Sequence, residues 1–344
     1  MKLLVITQTV DKKDSVLGFF HGWLLEFSKK FEKVSVICLY EGEHNLPENV
    51  FVYSLGKESS KSKLKYLTNF FYYIWKYRKD YDMVFVHMNQ EYVLLGGLFW
   101  KILGKKIFFW RNHSYGNILT RLSVALSTKV FCTSASSFTA KFKKTVIMPA
   151  GIDTSLFHPV MDIVRVKHSI CMVGRISPVK HIFEAILVVN YFVKNGEQFS
   201  LTVIGDVGQK IEDKKYMDML MSYVSKNSLQ SHIKFEKAVL HQDLPKIYSS
   251  YEICLNLTDS GSFDKTIIEA ASVGTFPIVS NQSLSFLLPD GCVTERNLDS
   301  IVLAIRKISQ PQNQLDLREK LTEFAKSQSL DALMEKLSVC LESI

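Results

Sequence analysis

The chain is predicted to be an α/β protein made of two doubly wound parallel sheets. Short apolar, β-rich runs alternate with segments of helical period along its whole length. That is the pattern left by parallel strands covered by helices on both faces. The series restarts near residue 165, and the total of 344 residues exceeds what one hydrophobic core usually organises, about 150 residues per domain being typical.

In the first half the strands read LLVITQ, VSVICLY, VFVYSL, DMVFVHM, KIFFWR, TKVFCTS and VIMPA, and in the second HSICMVG, LTVIGD, HIKFEK, EICLNL and FPIVS. The join falls in MPAGIDTSLFHPVMDIVRVK, residues 148–167, where Pro149, Gly151 and Pro159 interrupt the periodicity. This gives an N-terminal domain over 1–155, a C-terminal domain over 165–325 and a last helical segment over 326–344. Ligands of open parallel sheets bind beyond the carboxyl ends of the strands, so function is sought in the loops that follow each strand.

The bulk chemistry is that of an ordinary globular protein, 47% hydrophobic and 22% charged. MKLLVITQTV reads as a first strand and not as a secretory leader. The most apolar stretch, YVLLGGLFWKILG (92–104), contains Lys101 and two adjacent glycines and falls short of the ~20 residues that span a bilayer. Six cysteines lie far apart without a C-x-x-C, and nine histidines form no H-x-x-x-H. They point to core thiols in a reducing, cytoplasmic compartment and to no bound metal.

Charge is one-sided. Residues 1–150 hold 22 Lys and Arg against 11 Asp and Glu, while the remainder holds 20 against 23, and no acid lies between Glu91 and Asp153. A basic half suggests a polyanionic partner: anionic lipid, a phosphate-bearing acceptor or nucleic acid.

Three loops carry candidate chemistry. After the strand HSICMV comes GRISPVKH (174–181), in which Arg175 and Lys180 flank a helix start. Two cations beside free N–H groups make a diphosphate clamp, although a solvated strand–helix junction often looks the same. VIGDVG (203–208) ends a strand in a turn at Gly205. GSFDKTIIEAASVG (261–274) follows the strand EICLNL and places Glu269 between Ile268 and Ala270. A carboxylate in that setting needs donors. Either a basic side chain or a ligand meets it; the two hydroxyls of a ribose would supply such donors, with the phosphates on a nest of backbone N–H groups from Ser262 to Thr266. No G-x-G-x-x-G follows a strand and no G-x-x-x-x-G-K-[ST] occurs, which weighs against a dinucleotide dehydrogenase and a P-loop NTPase.

GIDTSLFHP, VGRISPVKH, LTVIGD and GSFDKTIIEAASVGTFPIVS, in this order, resemble the retaining glycosyltransferases of family 4, the group 1 glycosyltransferases of GT-B fold. The resemblance implies two Rossmann-like domains facing across a cleft, with a nucleotide-sugar donor on the C-terminal one and an acceptor on the N-terminal one. It also implies no metal, no cofactor beyond the donor co-substrate, and a last segment crossing back to brace the first domain. By the same resemblance Arg175 and Lys180 match the diphosphate pair and Glu269 the ribose ligand. Ser262, Phe263, Asp264, Lys265 and Thr266 then form the nucleotide-sugar loop with Gly205. His113, in FFWRNHSYG, matches the first-domain histidine near the transferred sugar, and Gly18, in DSVLGFFHGW, the loop after the first strand. His87 ends another strand and ranks below it. One position departs: the first Glu of the family's E-x7-E motif falls on Gly261, and Asp264 with Lys265 stands where the family usually has Gly. Asp264 is suited to accept from sugar hydroxyls and Lys265 to face the phosphates.

KSKLKYLTNFFYYIWKYRKDY (61–81) interleaves basic and aromatic residues at helical spacing. It fits either a core helix with a wet side or a face for an anionic membrane that presents a lipid-linked acceptor; a free glycan acceptor fits the resemblance equally. The expected activity is therefore metal-independent, retaining glycosyl transfer in glycan, polysaccharide or glycolipid assembly. The rivals are a noncatalytic transferase-like subunit, prompted by Gly261, and a sugar-nucleotide epimerase on the same scaffold. The basic half also prompts a nucleic-acid reading, but no reader motif supports it and no nucleic-acid partner is expected.

Overall fold

The computed structural model describes all residues except Ser15, Ser262, Ser343 and Ile344, with Glu342 described by its backbone alone. The chain divides into two compact units, residues 1–151 with the segment from Leu333 onward, and residues 152–332.

The first unit runs β1 (Lys2–Val10), α1 (Phe19–Lys30), β2 (Lys33–Glu41), β3 (Val50–Ser54), α2 (Lys63–Lys76), β4 (Met83–His87), α3 (Gln90–Ile102), β5 (Lys106–Trp110), α4 (Ile118–Leu126), β6 (Lys129–Cys132) and β7 (Thr145–Ile147). Its strands pair in the order β3-β2-β1-β4-β5-β6-β7, all parallel. Direction along the sheet reverses between β1 and β4, and right-handed crossovers then place α2, α3 and α4 on one face. The core confirms the placement: Phe70 and Ile74 of α2, Trp100 of α3 and Val124 of α4 pack on the alternate strand residues Ile6, Val84, Val86 and Phe109. On the other face Phe27 of α1 meets Phe85, and Trp23 meets Trp110 edge-on. Trp23 also donates to the Gly151 carbonyl at 3.3 Å.

The second unit runs β8 (Val166–Val173), α5 (Ile182–Lys194), β9 (Ser200–Ile204), α6 (Ile211–Lys226), β10 (Ile233–Glu236), α7 (Leu244–Ser250), β11 (Tyr251–Asn256), α8 (Lys265–Ser272), β12 (Phe276–Val279), α9 (Leu298–Ile308) and α10 (Pro311–Ser327). Its parallel sheet has the order β10-β9-β8-β11-β12. The reversal here lies between β8 and β11, so the loops leaving these two strands flank one crevice. The final helix α11 (Leu330–Glu342) joins the first unit from Leu333 onward, where Lys129 Nζ donates to the Cys340 carbonyl at 3.3 Å.

Each strand read from the sequence is present, and the central ones, such as β4, β5, β11 and β12, are buried on both faces and almost continuously apolar. Helix α2 divides differently from a plain core helix. Phe70 and Ile74 are buried, whereas Leu64, Phe71, Tyr72 and Trp75 face water. Among the described residues no helix is long and apolar enough to cross a membrane, and no group of three or more His, Cys, Asp or Glu side chains is placed to hold a metal ion.

Candidate functional site

The crevice between β8 and β11 gathers most of the sequence-predicted residues. β8 ends at Val173 and the chain turns through Gly174, whose φ of +136° is one that side-chain-bearing residues rarely adopt. Gly205, at the end of β9, lies against it: a Cβ there would stand 2.1 Å from the Gly174 carbonyl oxygen. Gly205 therefore allows the two loops to touch. Beyond Gly174, Ile176 bridges to Val207, Arg175 is exposed, and the loop closes in a short 3₁₀ turn ending at Lys180. The Ser177 hydroxyl is buried there without a hydrogen-bond partner among the described residues.

From the other side, β11 ends at Asn256, and its exit loop leads to Asp264 at the N-cap of α8. Asp264 meets Lys180 across the switch point, Oδ2 to Nζ, at 2.5 Å. Its Oδ1 accepts from the Thr266 hydroxyl at 3.1 Å and from the Thr266 N–H at 3.4 Å, and Asn256 Nδ2 donates to the Thr266 hydroxyl at 3.0 Å. Burial works against ionising Asp264, but the Lys180 ammonium and the donors from Asn256 and Thr266 outweigh it and hold the carboxyl below its usual range. The helix N-terminus is thus occupied by an aspartate of its own loop. Asp264 is the N-cap residue of α8, and its carboxylate takes the Thr266 amide, one of those that the sequence assigned to a phosphate nest. Ser262, also assigned to the nest, lies outside the described residues; Phe263 is half-buried.

Glu269 sits one turn into α8 and is only 4% exposed. Its donors are Tyr248 Oη, at 3.2 Å, and the imidazole Nε2 of His241, at 3.3 Å. Burial and the adjacent Glu269 carboxylate raise the Tyr248 hydroxyl well above its ordinary pKa, so it remains a donor at neutral pH. His241 also packs edge-on against Phe157, with ring centroids 5.1 Å apart. Lys265 differs from its expected place. Its ammonium is buried and not offered to solvent-borne phosphates, and burial, partly offset by Glu269, brings its pKa from 10.5 down to about 7. A second ionic chain borders the crevice: His181 at the start of α5 contacts Glu184 at 2.9 Å and Asp259 at 3.7 Å, and Asp259 pairs with Arg296 at 2.5 Å.

The remaining residues belong to the first unit. Gly18 is the N-cap of α1, its N–H donates to the Asp14 carbonyl at 3.0 Å, and a Cβ on it would meet that oxygen at 2.6 Å. His87 ends β4 but is packed in: it stacks on Phe20 with centroids 4.2 Å apart and meets the Thr7 hydroxyl at 3.3 Å. Met88 follows it with φ +67°. His113 is exposed in the loop after β5. Its Nδ1 accepts the Tyr115 N–H at 3.0 Å, which puts the proton of the neutral ring on Nε2.

With this geometry in view, residues 160–328 match the family described as glycosyl transferases group 1. This segment belongs to the group 1 glycosyltransferases. No curated protein sequence matches the chain, but solved structures do. Anabaena HepE in complex with UDP and glucose superposes with a TM-score of 0.78 at 16% identity, over 100% of both chains. Sucrose-phosphate synthase from Thermosynechococcus elongatus gives 0.77 at 14%, over 100% of this chain and 99% of that one. WaaG, a glycosyltransferase involved in lipopolysaccharide biosynthesis, gives 0.69 at 13%, over 99% of each. The fold is that of the GT-B glycosyltransferases.

The group 1 segment also contains polar partners that the sequence did not single out. Asn256 carried a usable signal, since it is the last residue of a strand whose exit loop was already suspect. His241 and Tyr248 carried none. They lie 28 and 21 positions before Glu269, on another loop and helix, and only the packing of α7 on α8 brings them to it.

Proposed function

We propose that the chain is a retaining, metal-independent glycosyltransferase that moves a sugar from a nucleoside-diphosphate donor to a hydroxyl acceptor on a glycan or lipid. The observation that carries this reading is the meeting of Lys180 with Asp264 at the β8/β11 switch point, one helical turn from buried Glu269. Cations and a helix start suit a diphosphate, and a buried acid suits the two hydroxyls of a ribose. The presence of UDP and glucose in the HepE structure supports the same class of donor.

In this reading Lys180 and exposed Arg175 stabilise the charge that develops on the leaving diphosphate, the largest electrostatic demand of the reaction. Lys180 is drawn from Asp264 toward the phosphates. Asp264 then turns an oxygen to a sugar hydroxyl. Glu269 exchanges donors from His241 and Tyr248 for the ribose, which places the anomeric carbon for attack by the acceptor oxygen on the face that the diphosphate leaves. No enzyme nucleophile is needed, because the departing diphosphate takes the acceptor proton. Six buried thiols are in keeping with a reducing, cytoplasmic compartment.

The test is incubation with UDP-, GDP- and ADP-sugars and a broad acceptor set, with the product anomer read by proton NMR. Transfer with the donor's anomeric configuration kept is expected; an inverted product would contradict the retaining mechanism. A second reading, a noncatalytic subunit of the same fold, is favoured by one observation. Gly261 replaces the family's first motif glutamate at φ +104°, a backbone conformation that glutamate adopts only with strain. Donor binding with neither transfer nor hydrolysis would select it.

A further inference from the structure

The outer side of the first unit carries a feature that donor binding does not use. Helices α2, α3 and α4 are neighbours: Phe70 of α2 packs at the edge of Trp100 of α3, Trp75 lies 5.8 Å from Phe99, and Gly97 of α3 allows Leu126 of α4 to approach closely. Each helix buries one stripe in the sheet core and turns a second apolar stripe to water. On α2 this stripe holds Leu64, Phe71 and Trp75, on α3 Leu98 and Ile102, and on α4 Leu122. The spacings, 64-71-75 and 98-102, are those of one helix face. The exposures are high: 57% for Trp75, 64% for Leu98 and 76% for Ile102.

Charge over the same three helices is one-signed. They carry Lys63, Lys65, Lys76, Lys101 and Arg121 against the single acid Glu91. Arg78 lies over the Trp75 ring at 4.4 Å and Lys76 over Tyr72 at 5.1 Å, so the cations stand at the rim of the aromatics. An apolar stripe ringed by cations and depleted of acids is complementary to anionic headgroups above acyl chains. It does not suit a nucleic acid, which offers nothing to exposed leucine and isoleucine. We propose that the outer face of α2, α3 and α4 docks on an anionic lipid bilayer. Set beside the transferase reading, on which this consequence alone rests, the face would bring the enzyme to a lipid-linked acceptor.

The chain holds its own probe. Of its four tryptophans, Trp23, Trp100 and Trp110 are at most 2% exposed, which leaves Trp75 as the one that acrylamide can reach. Full-length protein is titrated with phosphatidylglycerol vesicles and, separately, with phosphatidylcholine vesicles, without nucleotide. With the anionic vesicles the accessible emission should shift to the blue and lose most of its quenching, and cosedimentation should exceed that with neutral vesicles roughly tenfold. In 1 M salt, where the screening length is about 3 Å, that preference should vanish. A Leu98→Ser/Ile102→Ser variant should lose cosedimentation while its buried-tryptophan emission is unchanged; Trp75→Phe should lose the spectral shift and keep binding. Three results would overturn the proposal: no change with anionic vesicles, equal binding to both lipids, or a Trp75 already shielded in lipid-free protein that has the mass of two chains. Vesicle binding needs no donor and the donor assays need no vesicles, so either reading can fail alone.

Discussion

The two units share an architecture and differ in what occupies the switch point. In the second, polar and charged side chains from separate loops and helices converge: Lys180 with Asp264, and His241 and Tyr248 on Glu269. In the first, the corresponding position between β1 and β4 is filled with rings. His87 is stacked on Phe20 and close to Trp23, and the exposed histidine, His113, stands one strand farther on. The surplus positive charge of this half lies mainly outside the sheet, on helices and loops. A parallel sheet thus fixes where a ligand can sit, and the residues of its exit loops decide whether that place holds ligand chemistry or packing.

The comparison breaks most readily on the donor side. Lys180→Ala should lower the transfer rate by roughly 100-fold, about 3 kcal/mol in the barrier, as loss of one stabilising donor usually does. Steady-state rates at saturating donor check this, and an unchanged kcat would remove Lys180 from the clamp. His87 and His113 of the first unit should then separate cleanly. His87→Ala removes a buried stacked ring and should cost ~2–3 kcal/mol in urea unfolding. His113→Ala should stay within about 0.5 kcal/mol of the parent stability and lose transfer activity.

Lys265 sharpens the contrast through pH. Its pKa of about 7 against an ordinary 10.5 means that between those values the unfolded chain holds a proton that the folded chain has given up. Stability therefore rises with pH across that window, and the burial cost is at its fullest below pH 7. Lys265→Met should be the more stable protein at pH 6, by ~2 kcal/mol, with the gap closing toward pH 10. Denaturant midpoints at the two pH values decide it. Asn256→Ala removes the hydrogen bonds to Thr266 and Thr258 and should cost about 1–3 kcal/mol in the same unfolding measurement.

The strands were legible because burial on both faces leaves continuous apolar runs, as in MVFVH and EICLN. Loop position was legible too: GRISPVKH and GSFDKT each follow a strand, and the fold sets them side by side. Their pairing was not. The sequence suggested that Asp264 would face a sugar and Lys265 the phosphates, whereas Asp264 caps its helix and holds Lys180, and the Lys265 ammonium is buried. Which way a side chain turns at a helix start depends on competition among the cap, the partner across the crevice and solvent, and residue order does not record that balance. The donors to Glu269 were hidden for a different reason, since His241 and Tyr248 reach it only through the packing of α7 on α8. On α2 periodicity marked the helix, but only the fold separated the buried Phe70 and Ile74 from the exposed Phe71 and Trp75.

The central claim is that the β8/β11 crevice binds a nucleoside-diphosphate sugar through Arg175, Lys180 and Glu269. Thermal unfolding of the full chain with UDP-, GDP- and ADP-sugars tests it most directly, since a ligand at 100 times its Kd stabilises the native state by ~2.7 kcal/mol. One donor class should raise the transition of the parent protein, and Arg175→Ala and Glu269→Ala, both still folded, should each abolish the rise. An equal rise in both variants, or none in the parent with any of the three donor classes, would contradict it.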